Sequence, residues 1–298
     1  MISSASAQMP MEYFLPAASP QGKLIRHGAY ILQFDERRGQ ADWVIYELTD
    51  RRATGTLPIS GTFRADPDVR TGAVAPDAYK GSGFERGQLV PPGDMRWSNS
   101  ALAESFYMSV VSPMKPSFRK GLWAQIETLG RKWAATEGSV YIVAGPVLKG
   151  PMDTSGKAPV PAPQLFFRIF LDMQEPGIKG IGFLLPVDGR EKDVMRYAVP
   201  IDSVEAATGI DFFPSLPDNF ENAIEGTVDI PRWAAADSIP KASASATGTS
   251  RSMGKGFSPA TLCKGKTSDG KRCVRMTTNP NGLCWEHQDQ VVKPSTKK

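Results

Sequence analysis

Five short runs of β-branched and aromatic residues, with one long amphipathic segment among them, constrain the fold of this chain more than any other feature. Residues 22–34 (GKLIRHGAYILQF) and 42–48 (DWVIYEL) read as strands, separated by a charged turn from Asp35 to Gln40. Residues 139–147 predict a buried strand ended by Gly145-Pro146, and residues 165–173 and 178–187 predict a further strand pair. Over 117–137, Phe118, Leu122, Ile126, Leu129 and Trp133 recur three or four apart, which puts them on one face of a helix. Residues 99–111 start at helical spacing and turn into a short apolar run. Residues 202–209 predict a short helix with Asp202 or Ser203 as its cap and Gly209 as its stop. Residues 50–80 are polar and rich in Pro and Gly, and predict a long loop.

The chain has 298 residues, of which 41% are hydrophobic and 22% charged, which is ample for a packed core. No stretch approaches eighteen consecutive apolar residues, so no transmembrane helix and no membrane partner are expected. The charge is uneven: residues 241–298 hold 11 Lys/Arg against 3 Asp/Glu, and residues 1–240 hold 24 against 28. An acidic body thus carries a basic tail, a pattern common in nucleic-acid contact and equally that of a solvated terminus. The composition divides the chain into an N-terminal extension (1–20), a main domain (21–233), a flexible Ala/Ser/Gly/Thr-rich linker (234–256), a small module (257–288) and a basic tail (289–298). Met1 to Gln21 has no basic leader and no useful apolar run, so it does not read as a secretory signal, and the cytoplasm is the expected location.

The segment Tyr79-Lys80-Gly81-Ser82-Gly83-Phe84-Glu85-Arg86-Gly87-Gln88-Leu89-Val90-Pro91 resembles the signature of the DNA/RNA non-specific endonucleases, a family of the ββα-metal superfamily. The resemblance spans about residues 20–220. Arg26-His27-x-x-Tyr30 with Asp42-Trp43-Val44-x-Tyr46 resembles the family's first hairpin. Ser105-Phe106-Tyr107-Met108-Ser109 with Pro113 resembles its central segment, and Gly121-x-Trp123-x-x-x-Glu127-x-x-x-Arg131 its metal-binding helix. Val143-x-Gly145-Pro146 and Thr208-Gly209-x-Asp211-Phe212-Phe213 match later elements. The resemblance implies an α+β fold: a mixed or antiparallel central sheet with flanking helices and a ββα-metal motif. It also implies hydrolysis of nucleic-acid phosphodiesters. In the family a His removes a proton from the attacking water, an Asn holds a hydrated Mg²⁺, a second Asn orients the His, and Arg side chains steady the phosphate.

The chain departs from that pattern at each central position. The base position is Gln88, an amide with no titratable proton near neutral pH. The orienting Asn is Val110, and a nearby Gln of the family is Met114. The metal-ligand Asn is Arg119, which is always cationic and only donates. Glu85, Arg86, Glu127 and Arg131 remain, and Glu127 is the one candidate ligand left for a divalent metal in the cleft. Two readings of these residues stand side by side. In one, Arg119 replaces the metal's charge and, with Arg86 and Arg131, binds a phosphate. In the other, Arg119 pairs with Glu127 and plugs a dead site, Glu127 and Arg131 form an exposed ion pair, and Glu85 and Arg86 shape the loop. His27 falls on the first hairpin and is expected to be structural.

All three cysteines lie in the tail, as Cys263-x9-Cys273-x10-Cys284-x2-His287. Three thiolates and an imidazole are a structural Zn²⁺ set, and a 32-residue module with little core would take its folding energy from the metal. With Thr267, Gly270 and Gly282, the spacing resembles a small zinc knuckle appended to bacterial and phage proteins. Lys264, Lys266, Lys271, Arg272 and Arg275 interleave with it as a phosphate-facing surface, and Trp285 either stacks on a base or packs against the knuckle. The alternative is a disordered tail with incidental thiols.

Three functions follow. The first is a catalytically impaired nuclease fold that binds DNA or RNA through an Arg-lined cleft and a basic zinc knuckle. The second is a divergent endonuclease that is active with Mg²⁺. The third is an adaptor that reuses the fold to bind protein, which the acidic body favours over the first. A homodimer is a further expectation, since the family often dimerises.

Overall fold

A computed structural model describes residues 10–72, 74–149, 152–153, 159–174, 178–235, 261–262, 264–266 and 276–277. The chain divides into two compact units, residues 1–240 and 241–298. The first unit is an α+β domain built on a seven-stranded antiparallel sheet in the order β1-β2-β3-β6-β9-β10-β11. Its strands are β1 (Lys23–Arg26), β2 (Tyr30–Asp35), β3 (Gln40–Thr49), β6 (Ser139–Pro146), β9 (Leu165–Asp172), β10 (Lys179–Pro186) and β11 (Ala198–Val199). Two smaller ladders join β4 (Glu85–Gln88) to β5 (Val111–Met114) and β7 (Met152–Asp153) to β8 (Ala162–Pro163). The helices of this unit are α1 (Asp50–Ala53), α2 (Asn99–Glu104), α3 (Pro116–Phe118), α4 (Ala124–Glu137), α5 (Ile201–Thr208), α6 (Asp218–Glu225) and α7 (Ile230–Ala235).

The central strands read as continuous apolar runs because both faces of the sheet are covered. On one face Tyr46, Ile142, Phe170 and Phe183 pack with Trp123, Ile126 and Trp133 from the helical segment that follows β5. On the other, Trp43, Val143 and Ile169 pack with Ile201 and Val204 of α5 and Ile224 of α6. The fold takes up the chain ahead of residue 21, because Phe14 is fully buried in that second core with its ring 4.3 Å from Tyr141. At the other end Trp233 is also fully buried, and Trp133 Nε1 donates to its carbonyl at 3.1 Å.

Local differences from the sequence reading have local causes. Run 22–34 is two strands, because the chain reverses at residues 27–29 and pairs Arg26 with Ile31. The amphipathic segment 117–137 is broken at Gly121, whose φ of −95° and ψ of −110° lie outside the helical region. The cap of α5 is Pro200, with Asp202 inside the first turn, while Gly209 ends the helix as expected, left-handed at φ 71°. In the second unit, β12 (Thr261–Leu262) pairs antiparallel with β13 (Met276–Thr277). Cys263, Cys273, Cys284 and His287, like residues 236–256 of the expected linker, lie outside the described residues.

Candidate active-site cavity

The motif Tyr79–Pro91 forms a turn and then a strand. Gly81 and Gly83 take φ of 70° and 83°, which side chains other than glycine rarely adopt, and Ser82 Oγ donates to the Tyr79 carbonyl at 2.8 Å. The chain then enters β4, which pairs with β5 in the register Glu85–Met114, Arg86–Pro113, Gly87–Ser112 and Gln88–Val111. Met114 occupies the space a side chain at position 87 would need: a Cβ there would meet its sulfur at 2.2 Å. Beyond β5, α3 and a widened turn from Arg119 to Trp123 lead into α4. The unit is thus a β-hairpin followed by a helix. Trp123 pins the two together, its Nε1 donating to the main-chain carbonyl of Gln88 at 3.1 Å.

Between hairpin and helix lies a cavity of about 280 Å³ lined by Gln88, Pro92, Arg119, Lys120, Trp123, Ala124 and Glu127. The Gln88 amide nitrogen is engaged, donating to the Ser105 carbonyl at 2.7 Å. Arg119 Nε stands 2.7 Å from Glu85 Oε2, and Lys120 Nζ 3.1 Å from Glu85 Oε1. Glu127, by contrast, makes no hydrogen bond or ion pair among the described residues, because its neighbour Arg131 turns away to Asp94 Oδ1 at 2.8 Å. Burial, with some help from Asp94, raises the Glu127 carboxyl to about 7, against the lowering pull of Arg168, Arg131 and Arg119.

Beneath the cavity lies a buried network that sequence reasoning missed. Asp94 is fully buried and accepts from Tyr46 Oη at 2.7 Å as well as from Arg131. Arg168, fully buried in β9, has its Nη2 3.5 Å from Asp94 Oδ2 and also donates to Tyr46 Oη. The one signal for it was Arg168 itself, a charge in the middle of the apolar run LFFRIFL.

The model of the DNA/RNA non-specific endonuclease family matches residues 11–219. The chain belongs to this family. It is 28% identical over 221 residues to a nuclease of Nostoc sp., covering 71% of this chain and 80% of that protein. Endonuclease G from human mitochondria is 29% identical over 220 residues, covering 69% and 73%. A solved EndoG/EndoGI complex shares the fold with a TM-score of 0.62 and 22% identity, over 70% of this chain and 91% of that one.

Within this member of the family, Gln88, Arg119 and Glu127 come together at the cavity, and Arg131 stands behind it on Asp94. Arg86 does not line the cavity: Nη1 donates to the Pro76 carbonyl at 3.1 Å and the guanidinium lies over the Phe63 ring. Val110 and Met114 are fully buried in the core. His27 is buried against Asp66, with Nε2 2.9 Å from Oδ2. Burial raises the Asp66 carboxyl, but hydrogen bonds from His27, Ser109 and the Asp68 amide outweigh it and hold the group below its ordinary range. The family's chemistry uses Mg²⁺, but the cavity residues do not fit it. Glu127 and the Gln88 amide oxygen are the available acceptors, and they face a guanidinium that only donates.

Proposed function

We propose that this chain binds the phosphate backbone of DNA or RNA in the Gln88–Arg119–Glu127 cavity and is impaired as a nuclease. The observation that carries this reading is Arg119 at the mouth of a cavity whose base position is an amide already bonded to Ser105. An amide orients a water without deprotonating it, and loss of a general base costs roughly two to four orders of magnitude in rate. A guanidinium presents paired N–H donors that match two phosphate oxygens. Arg119 and Lys120 supply the cationic rim, and Arg131 adds charge from behind.

The second unit is read as a nucleic-acid-binding zinc knuckle of residues 257–288, joined by the 234–256 linker. Its donor set, Cys263, Cys273, Cys284 and His287, is that of a structural zinc site. The pairing of Leu262 with Met276 joins two strands of this unit that flank Cys263 and Cys273 in the sequence, which supports the reading of a module. Metal analysis of the full chain should find one zinc per molecule, lost in Cys273→Ser.

The decisive experiment is digestion of plasmid and RNA with Mg²⁺, Mn²⁺ or EDTA. The natural chain is expected to bind without cutting. A variant combining Gln88→His, Val110→Asn and Arg119→Asn is expected to cut. Arg119→Ala should weaken binding at low salt, and unchanged affinity would remove the phosphate role.

A second reading, a divergent nuclease, is favoured by one observation: Glu127 is unpaired among the described residues and its carboxyl is raised to about 7, as for a general base. Cutting by the natural chain that disappears in Glu127→Gln would establish it. Protein is the third partner class, and the EndoG/EndoGI structure concerns inhibition of EndoG. Among the described residues no helix is long and apolar enough to cross a membrane.

A further inference from the structure

On the opposite face of the central sheet from the cavity, α5 and α6 sit tightly on β10. A Cβ at Gly180 would meet Ile224 Cγ2 at 2.5 Å and Ile201 Cδ1 at 2.7 Å. This close seating draws three carboxylates together. Asp202 lies in the first turn of α5, Glu205 lies three residues on along the same helix, and Glu225 is the last residue of α6. One oxygen from each lies within 4.8 Å of the other two.

Proximity of acids alone would mean little on a surface, but Glu225 is not on the surface. It is 4% exposed, and its Oε1 is buried with no hydrogen-bond partner among the described residues. An orphaned buried carboxylate oxygen is costly unless something cationic or protic meets it. The strongest charged influences on Glu225 are acids: Glu205, Glu221, Asp202 and Asp211. Among the described residues Glu205 accepts one hydrogen bond, from the Phe212 N–H at 2.7 Å.

We infer that Asp202, Glu205 and Glu225 form a binding site for a hard divalent cation of the calcium class, which ties α5 to α6. Oxygens on opposite sides of Ca²⁺ stand about 4.6–5.2 Å apart at ligand distances of 2.3–2.6 Å, so the observed grouping needs little adjustment. Three carboxylates, mono- or bidentate, supply three to six of the six to eight oxygens Ca²⁺ takes, and the exposed side at Asp202 admits water for the rest. Mg²⁺ demands a tighter octahedron at about 2.0–2.1 Å and fits this spread less well. The competing occupant is a proton on Glu225.

The test is thermal unfolding of the full chain in calcium-free buffer and across a CaCl₂ titration, with KCl at matched ionic strength as control. Calcium at about a hundredfold excess over Kd should raise the midpoint by roughly 5–10 °C. Glu225→Gln should lose that response and, without calcium, be at least as stable as the natural chain. Asp202→Asn, an exposed change that does not threaten folding, should weaken the response. Glu127→Gln, in the cavity, should keep it. No calcium response in the natural chain, or an equal one in Glu225→Gln and Asp202→Asn, would overturn the assignment and leave the proton as the occupant.

Discussion

Arg119 is paired with Glu85 across the hairpin–helix junction, Nε to Oε2 at 2.7 Å, and not with Glu127 eight residues further along. The pair bears on the two roles open to Arg119. Were Arg119 a plug on Glu127, both charges of the cavity would be spent. Held by Glu85 at its mouth, Arg119 stays partly exposed, and Glu127 stays unpaired among the described residues. Glu85 is therefore a competitor for any phosphate that reaches Arg119.

Glu85→Gln is expected to raise affinity for a short single-stranded oligonucleotide several-fold at low salt. The pair is exposed enough that stability should change by less than about 1 kcal/mol. Fluorescence anisotropy over a salt series checks this. The gain should shrink as salt rises, since each phosphate contact steepens the salt dependence. Affinity that falls in Glu85→Gln would mean the carboxylate positions Arg119 rather than competing for it.

Glu127 makes a prediction about pH. Its folded-state carboxyl is raised to about 7, above its ordinary 4.5, so between those values the folded chain holds a proton that the unfolded chain has released. Stability tied to this group is complete below pH 4.5 and is lost as pH rises through 7. At about 1.4 kcal/mol per pH unit over that interval the loss is on the order of 3 kcal/mol. Glu127→Gln should therefore stabilise the chain at pH 8 and leave it unchanged at pH 4. Urea midpoints at the two values read this directly, and equal effects at both would show that the carboxyl is not desolvated.

Much of this architecture was legible in the chain. The apolar runs became strands because period and composition act locally, and residues 79–91 kept their meaning because Gly81, Ser82 and Gly83 build the turn from their own backbone and side chain. Illegible were the relations that depend on what lies opposite. Arg131 was read beside Glu127 from helix spacing, yet Asp94, thirty-seven residues away, offers a fully buried acceptor and wins it. The resemblance puts Arg86 in the cleft, since the family's Arg side chains steady the phosphate, but the Pro76 carbonyl and the Phe63 ring hold it elsewhere. The break at Gly121 falls between Arg119, which pairs with Glu85, and α4, which buries Ile126 and Trp133.

Asp94 should be the most damaging single polar site beneath the cavity. Asp94→Ala strips Tyr46 Oη of an acceptor and leaves the fully buried Arg168 without its ion-pair partner. Breaking a buried ion pair in this way costs about 3–5 kcal/mol. The denaturant midpoint should drop accordingly, and pairing Asp94→Ala with Arg168→Met should recover part of the loss. A double variant no better than Asp94→Ala would show that Arg168 tolerates its burial without Asp94.

Gly130 tests how closely α4 is seated. Glycine in a helix interior is unfavourable, and exchange for alanine in an exposed helix gains about 1 kcal/mol. Here Gly130 is buried against β9, and a Cβ would stand 2.7 Å from Phe170 Cε1 and 3.6 Å from Ile142 Cδ1. Phe170 cannot yield easily, because its ring is held edge-on by Trp133 at 5.0 Å and by Phe183 at 6.0 Å. Overpacking of this kind costs about 1–3 kcal/mol, so it outweighs or cancels the propensity gain. Gly130→Ala is expected to lower the midpoint of chemical unfolding. Since α4 carries Glu127 and Arg131, any shift of the helix away from β9 would also widen the cavity and weaken oligonucleotide binding. A variant more stable than the natural chain would mean that α4 and β9 have slack between them.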